Sequence, residues 1–243
     1  HKITSDGVEY KLRTHLISPT IQANEIYQSL DILDMEKDSN DNYSDQLLLD
    51  IIEDVKAEKA EYEKYLQYKK SYIKFMKTSE TKFEKLYETN PEIFNLLEEY
   101  DYIHPSEFKH EPPKVDIIIL DDLLGSNAFT RKTQSVLTNA MIKNRHCGIN
   151  YSVLVQSIRV VPKTIRSNCS IFQLAKFGSK KVILFDIYEE VSNVISVEKF
   201  EMLYDHATST KYGLLIIDTT NGDKRFLSNF DSELFITDEK PKN

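Results

Sequence analysis

Two hydrophobic rhythms alternate along this chain. A short apolar run at His15-Leu16-Ile17-Ser18, closed by Pro19 and Thr20, predicts an extended segment, and Ile21 to Asn24 open a helix that includes Ile26, Tyr27 and Leu30. The acidic, polar stretch from Asp34 to Asp45 reads as a loop. Leu48, Ile51, Ile52, Val55, Tyr62, Leu66, Ile73 and Met76 then recur mostly at three- and four-residue intervals, a broken stripe on a long helix that Lys59 interrupts. Further helices are expected through Phe83, Leu86 and Tyr87, and through Ile93, Leu96 and Leu97 after Pro91. Residues 43–104 therefore read as a helical insertion. A stripe of this kind can serve a partner-binding arm or simple packing on the core, and the lack of a sustained heptad argues against a long coiled coil.

After Pro112 and Pro113 the rhythm changes. Val115 to Leu120 is a compact β-branched run expected of a strand covered on both faces. A helix over 130–144, a strand at 152–155 and a short helix started by Pro162 around Ile165 follow. Then come a strand at 171–175, helices over 185–191 and 198–208, and a strand at 212–218. Asn221-Gly222 predicts a turn into a hairpin strand at 224–227. This alternation predicts an α/β fold with a largely parallel sheet flanked by helices. The organisation expected is an early core at 1–33, loop and helical insertion at 34–113, core at 114–235 and a tail at 236–243.

Composition narrows the classes. Hydrophobic residues are 40% and aromatic residues 11% of the 243, enough for a real core. The net charge of −8 excludes a chain coated in positive charge, though a ring-shaped motor can confine basic groups to a channel. Cys147 and Cys169 are too few for a disulfide scaffold and suggest no zinc site, so a reducing environment is expected. No membrane segment and no secretory signal are legible.

The chemical centre is the acid pair at the end of the 115–120 strand. Asp121 and Asp122 are delivered where open α/β sheets hold ligands. One carboxylate there can hold the magnesium ion that bridges nucleotide phosphates, and the next can orient or activate the attacking water. The plain reading is a turn or helix cap. Gln156, at the end of the next strand, offers an uncharged amide to a water or phosphate, or simply to loop backbone. Arg145 and Arg166 are the arginines best placed by sequence to reach a neighbouring subunit's nucleotide, with Arg131 and Arg159 weaker options; each could equally be a surface ion pair.

Taken in order, Ile118-Ile119-Leu120-Asp121-Asp122, Asn144-Arg145-His146 with Gly148-Ile149, Gln156-Ser157, Pro162, and Ile165-Arg166-Ser167-Asn168 resemble the genome-packaging ATPases of poxviruses and other large double-stranded DNA viruses, within the FtsK- and HerA-like group. Ile17-Ser18-Pro19-Thr20, and the run from Tyr212 to Asp218 ahead of Arg225-Phe226, are similar to that family too. The resemblance spans about 15–30 and 114–231. It implies a P-loop NTPase-type sheet, ATP and Mg2+ as ligands, Asp121 as the magnesium-associated acid acting through water, and Asp122 as the catalytic acid. It further implies Gln156 as polar sensor and Arg145 and Arg166 as intersubunit or phosphate-sensing arginines. The partners implied are double-stranded DNA, a homo-oligomeric ring, and capsid portal or vertex proteins. The compartment implied is host cytoplasm or viral factory, with virion association.

One departure matters. A Gly-rich loop ending in Gly-Lys-Ser/Thr should precede the acid-bearing strand, and Gly178-Ser179-Lys180-Lys181 has the wrong order and place. The expectation is a carboxy-terminal portion of a longer protein, inactive alone, or a degenerate relative. The rivals are a non-catalytic structural or regulatory subunit, an AAA-like helicase, and a metal-dependent nuclease.

Overall fold

The computed structural model describes residues 2–5, 8–31, 33–108, 111–129, 135–143, 147–178, 180–221 and 225–235. The chain forms two compact units, one of 1–121 with 143–154, the other of 122–142 with 155–243.

The first unit is built on a five-stranded sheet. Strands β1 (Lys2–Ser5) and β2 (Val8–Ile17) form an antiparallel pair, and β3 (Ser39–Asn40), β4 (Val115–Asp121) and β5 (Ile149–Leu154) are parallel to β2 or to one another. The short helix α1 (Glu25–Gln28) follows β2, with the Asn24 side chain capping it at the Ile26 amide. β4 lies between β2 and β5, so its backbone is bonded on both edges. Ile118 and Leu120 are fully buried, as are Leu16 and Ile17 on β2. The α/β class with four parallel strands and flanking helices is what the chain adopts.

Helix α2 (Asp45–Met76) begins where the Ser44 hydroxyl accepts from the Leu47 amide, with Asp45 in the first turn. Leu48, Ile51, Ile52 and Val55 are buried, as the stripe predicts. Beyond Val55 the stripe differs from the expected one. Leu66, Ile73 and Met76 are exposed, and the buried residue is Tyr68, flanked by half-buried Tyr65, Tyr72 and Phe75. Tyrosines take the inner face because their hydroxyls find carbonyls: Tyr65 donates to the Pro105 carbonyl and Tyr68 to that of Ile103. Helices α3 (Phe83–Thr89) and α4 (Pro91–Glu99) complete the insertion, packing Leu86, Ile93 and Leu97 on Tyr68, which stacks on Tyr100 at 4.3 Å.

The second unit holds α5 (Val136–Lys143, whose last residue falls in the first unit), α6 (Lys163–Arg166) and a four-stranded sheet. That sheet runs β6 (Ile171–Leu174), β7 (Leu215–Asp218), β8 (Phe226–Ser228) and β9 (Ser232–Glu233), every pair antiparallel. The alternation of strand and helix did not foretell this reversal. Two helices, α7 (Lys180–Val191) and α8 (Val197–Ala207), separate β6 from β7. One helix between strands restores the direction of the chain; two invert it. Their buried Ile187, Val191, Phe200, Leu203 and Tyr204 pack with Phe172, Leu174, Leu215 and Ile217 as one core. The expected starts of the 130–144 helix, and the Asn221-Gly222 turn in part, lie outside the described residues. Among the described residues no helix is long and apolar enough to cross a membrane.

Candidate functional site

The parallel register sets the site. Ile17 of β2 lies opposite Leu120 of β4, so the residues that follow, Ser18 and Asp121, emerge side by side at the same end of the sheet. Ser18 is fully buried, and its hydroxyl donates to Asp121 Oδ2 at 2.9 Å. Tyr27 reaches back from α1, and its hydroxyl donates to the same oxygen at 2.7 Å. Ser18 Oγ also accepts from the Thr20 amide at 3.3 Å, which ties the loop after β2 to this point. Asp121 Oδ1 accepts no hydrogen bond among the described residues, so one carboxylate oxygen is fixed and the other is available.

Among the described residues no group of three or more histidine, cysteine or acidic side chains gathers to hold a metal. That donor set does not make a protein cage for a cation. It does suit magnesium, which keeps several waters and binds through one or two carboxylates together with substrate phosphates.

A second polar group lies at the other end of β4. Asp116 is fully buried; its Oδ1 accepts from Arg13 Nε at 2.5 Å and faces His15 Nε2 at 3.0 Å, and its Oδ2 has no partner among the described residues. Arg13 also meets Glu58 of α2 at 3.2 Å, and Lys114 meets the same carboxylate at 3.3 Å. Burial opposes the Arg13 charge, but the hydrogen bond and the charge of Asp116 prevail and hold the guanidinium above its ordinary value. This network fastens α2 to the sheet; Asp116, five residues before Asp121 on the strand, belongs to that packing.

Asp122, Gln156 and Arg166 belong to the second unit. Asp122 adopts φ +48°, a left-handed conformation that turns the chain sharply after β4 and that aspartate tolerates better than most residues. Gln156 is exposed, two residues beyond the end of β5. Arg166 ends α6; its side chain is 13% exposed, donates to the Asp186 carbonyl at 3.4 Å and stands 3.9 Å from Glu190. Arg159 pairs with Asp186 at 2.6 Å. Arg145, His146 and Arg131 lie outside the described residues. Cys147 and Cys169 are free thiols, and burial pushes the Cys169 thiol above its ordinary value.

Sequence reading singled out Asp121 but not the two hydroxyls that hold it. Ser18 was legible: it follows an apolar strand as Asp121 does, and two parallel strands that end together place such residues together. Tyr27 was not, because its reach depends on where α1 is packed.

No family model and no curated relative matches the chain. Solved structures that match in part include the genome packaging NTPase B204 from Sulfolobus turreted icosahedral virus 2. The form in complex with ATP-gammaS is 16% identical, over 53% of this chain and 57% of that one, with a TM-score of 0.32. The form with AMP is 17% identical over 52% and 57%, at 0.35. The form with AMPPCP is 14% identical over 60% and 62%, also at 0.35. The chain thus spans 57–62% of the length of these structures and bears a weak, partial structural resemblance to them. Likeness at this level assigns nothing to individual residues.

Proposed function

We propose that this chain is a portion of an ATP-driven motor that moves double-stranded DNA into a viral capsid. The observation that carries the reading is the setting of Asp121. It is the last residue of an interior parallel strand, with one carboxylate oxygen held by Ser18 and Tyr27 and the other available. The ordered motifs from Ile118 to Asn168 support the same reading.

Magnesium bound with ATP would neutralise charge on the phosphates, and Asp121 is the residue to hold it, through water. Asp122 is assigned to position or deprotonate the attacking water, and Gln156 to report the state of the terminal phosphate through a hydrogen bond. An arginine from an adjacent subunit offsets charge developing on the phosphoryl group. Arg145 and Arg166 are the candidates for that part. A homo-oligomeric ring, duplex DNA in its channel and a capsid vertex as its seat complete the proposal.

The test is DNA-stimulated ATP turnover by the protein at its full natural length. Asp121→Asn and Asp122→Asn are each expected to lower turnover on the order of a hundredfold. Turnover close to wild type in either variant rejects the role given to that residue. Movement along long duplex DNA separates a packaging motor from a helicase-like switch.

A second reading rests on one observation: the 243 residues contain no loop of the Gly-Lys-Ser/Thr kind. A non-catalytic structural or regulatory subunit would keep the fold without binding nucleotide. Failure of the full-length protein to bind ATP at all would select it.

A further inference from the structure

We propose that the helical insertion carries a docking groove for a basic segment of a partner protein, seating an arginine side chain among aromatic rings and two carboxylates. The groove has a volume of about 440 Å³ and opens to solvent. Phe75 near the end of α2, Phe83, Glu84, Tyr87 and Glu88 of α3, and Phe94 of α4 line it. It belongs wholly to the first unit, and the inference stands apart from the nucleotide reading.

The rings are set by the packing behind them. Leu86, Ile93 and Leu97 are buried with Tyr68, which fixes α3 and α4 and so the side chains on their outer faces. Phe75 meets Phe83 at 5.3 Å and Phe94 at 6.1 Å with the rings at 89°, and Tyr87 meets Phe94 at 5.1 Å and 64°. Tyr87 is 60% exposed, more than packing of the insertion requires.

Charge decides the occupant. Glu84 and Glu88 lie one turn apart on α3 on either side of Tyr87, and neither forms an ion pair among the described residues. Aromatic faces attract cations through their quadrupole, and a planar guanidinium satisfies ring and carboxylate together. The same carboxylates repel phosphate, so a nucleic acid strand does not fit here. A second copy of a chain with net charge −8 is also disfavoured beside Glu84 and Glu88. A positively charged, partly apolar segment of another protein is what the groove suits.

The probe is a fluorescein-labelled amphipathic peptide of about fifteen residues with arginine and leucine on one face, titrated with the full chain by anisotropy. A twin peptide carries citrulline, which keeps the shape of arginine and loses its charge. The arginine peptide is expected to bind, and the citrulline twin to bind at least about tenfold more weakly. Glu84→Gln with Glu88→Gln, and separately Tyr87→Ala, should each weaken the arginine peptide by about tenfold. Glu53→Gln with Asp54→Asn, exposed on α2, should change it by less than about twofold. Circular dichroism confirms that each variant keeps its helices. Absence of binding, equal binding of the citrulline twin, or equal loss in the Glu53 and Asp54 variant would overturn the proposal.

Discussion

Two hydroxyls converge on one oxygen of Asp121, and that asymmetry is the strongest chemical feature at the residue scale. Tyr27→Phe removes one donor while leaving the ring in place. If Asp121 holds magnesium as proposed, turnover of the full-length protein should fall about tenfold, as with loss of a group that orients a metal-associated ligand. The magnesium concentration for half-maximal turnover should rise in parallel, which a purely structural role would not produce; an unchanged magnesium dependence would refute the positioning of Asp121. In the second unit, the Thr220 hydroxyl first, and then the amides of Thr220 and Asn221, hold the Asp218 carboxyl below the ordinary aspartate value of 3.8. A depressed folded value means that its stabilisation is present above the ordinary value and is lost as pH falls through the lower one. In an NMR titration, Thr220→Val should move the Asp218 midpoint upward. Identical midpoints would show that the hydroxyl does not hold the charge.

At the scale of elements, the insertion is secured by Tyr68 where the expected stripe ran through Leu66, Ile73 and Met76. Tyr68 is fully buried, stacked on Tyr100 and bonded to the Ile103 carbonyl. Tyr68→Ala should cost about 3–5 kcal/mol, since cavity and lost hydrogen bond add. Hydrogen exchange is the appropriate reading: amides of α3 and α4 should lose protection while those of β2 and β4 keep it. Uniform loss throughout the first unit would mean that the insertion and the sheet unfold together. Tyr65 and Tyr68 escaped the stripe because a polar atom at the ring's tip disguises an inward residue until a carbonyl is found for it. The antiparallel second sheet escaped for a different reason. Strand-helix alternation fixes elements, whereas direction depends on how many reversals lie between two paired strands.

For the molecule as a whole, the proposed duplex binding has to coexist with acidity. If the chain serves a DNA motor, its basic groups act locally against a net charge of −8. DNA stimulation of turnover by the full-length protein should then weaken steeply with salt, with a log–log slope of several units from released counterions. A flat salt response would argue against phosphate contacts and for a partner other than DNA. The sequence by itself determined the buried strand leading to Asp121, the long helix carrying Leu48 to Val55 and the α/β class, because apolar periodicity and turn chemistry act over a few neighbouring residues. Tertiary structure alone decided that Tyr27 holds Asp121 and that Asp116 is spent on Arg13 and His15. Those pairings join residues far apart in the chain, and only packing selects among the partners that local pattern leaves equally possible.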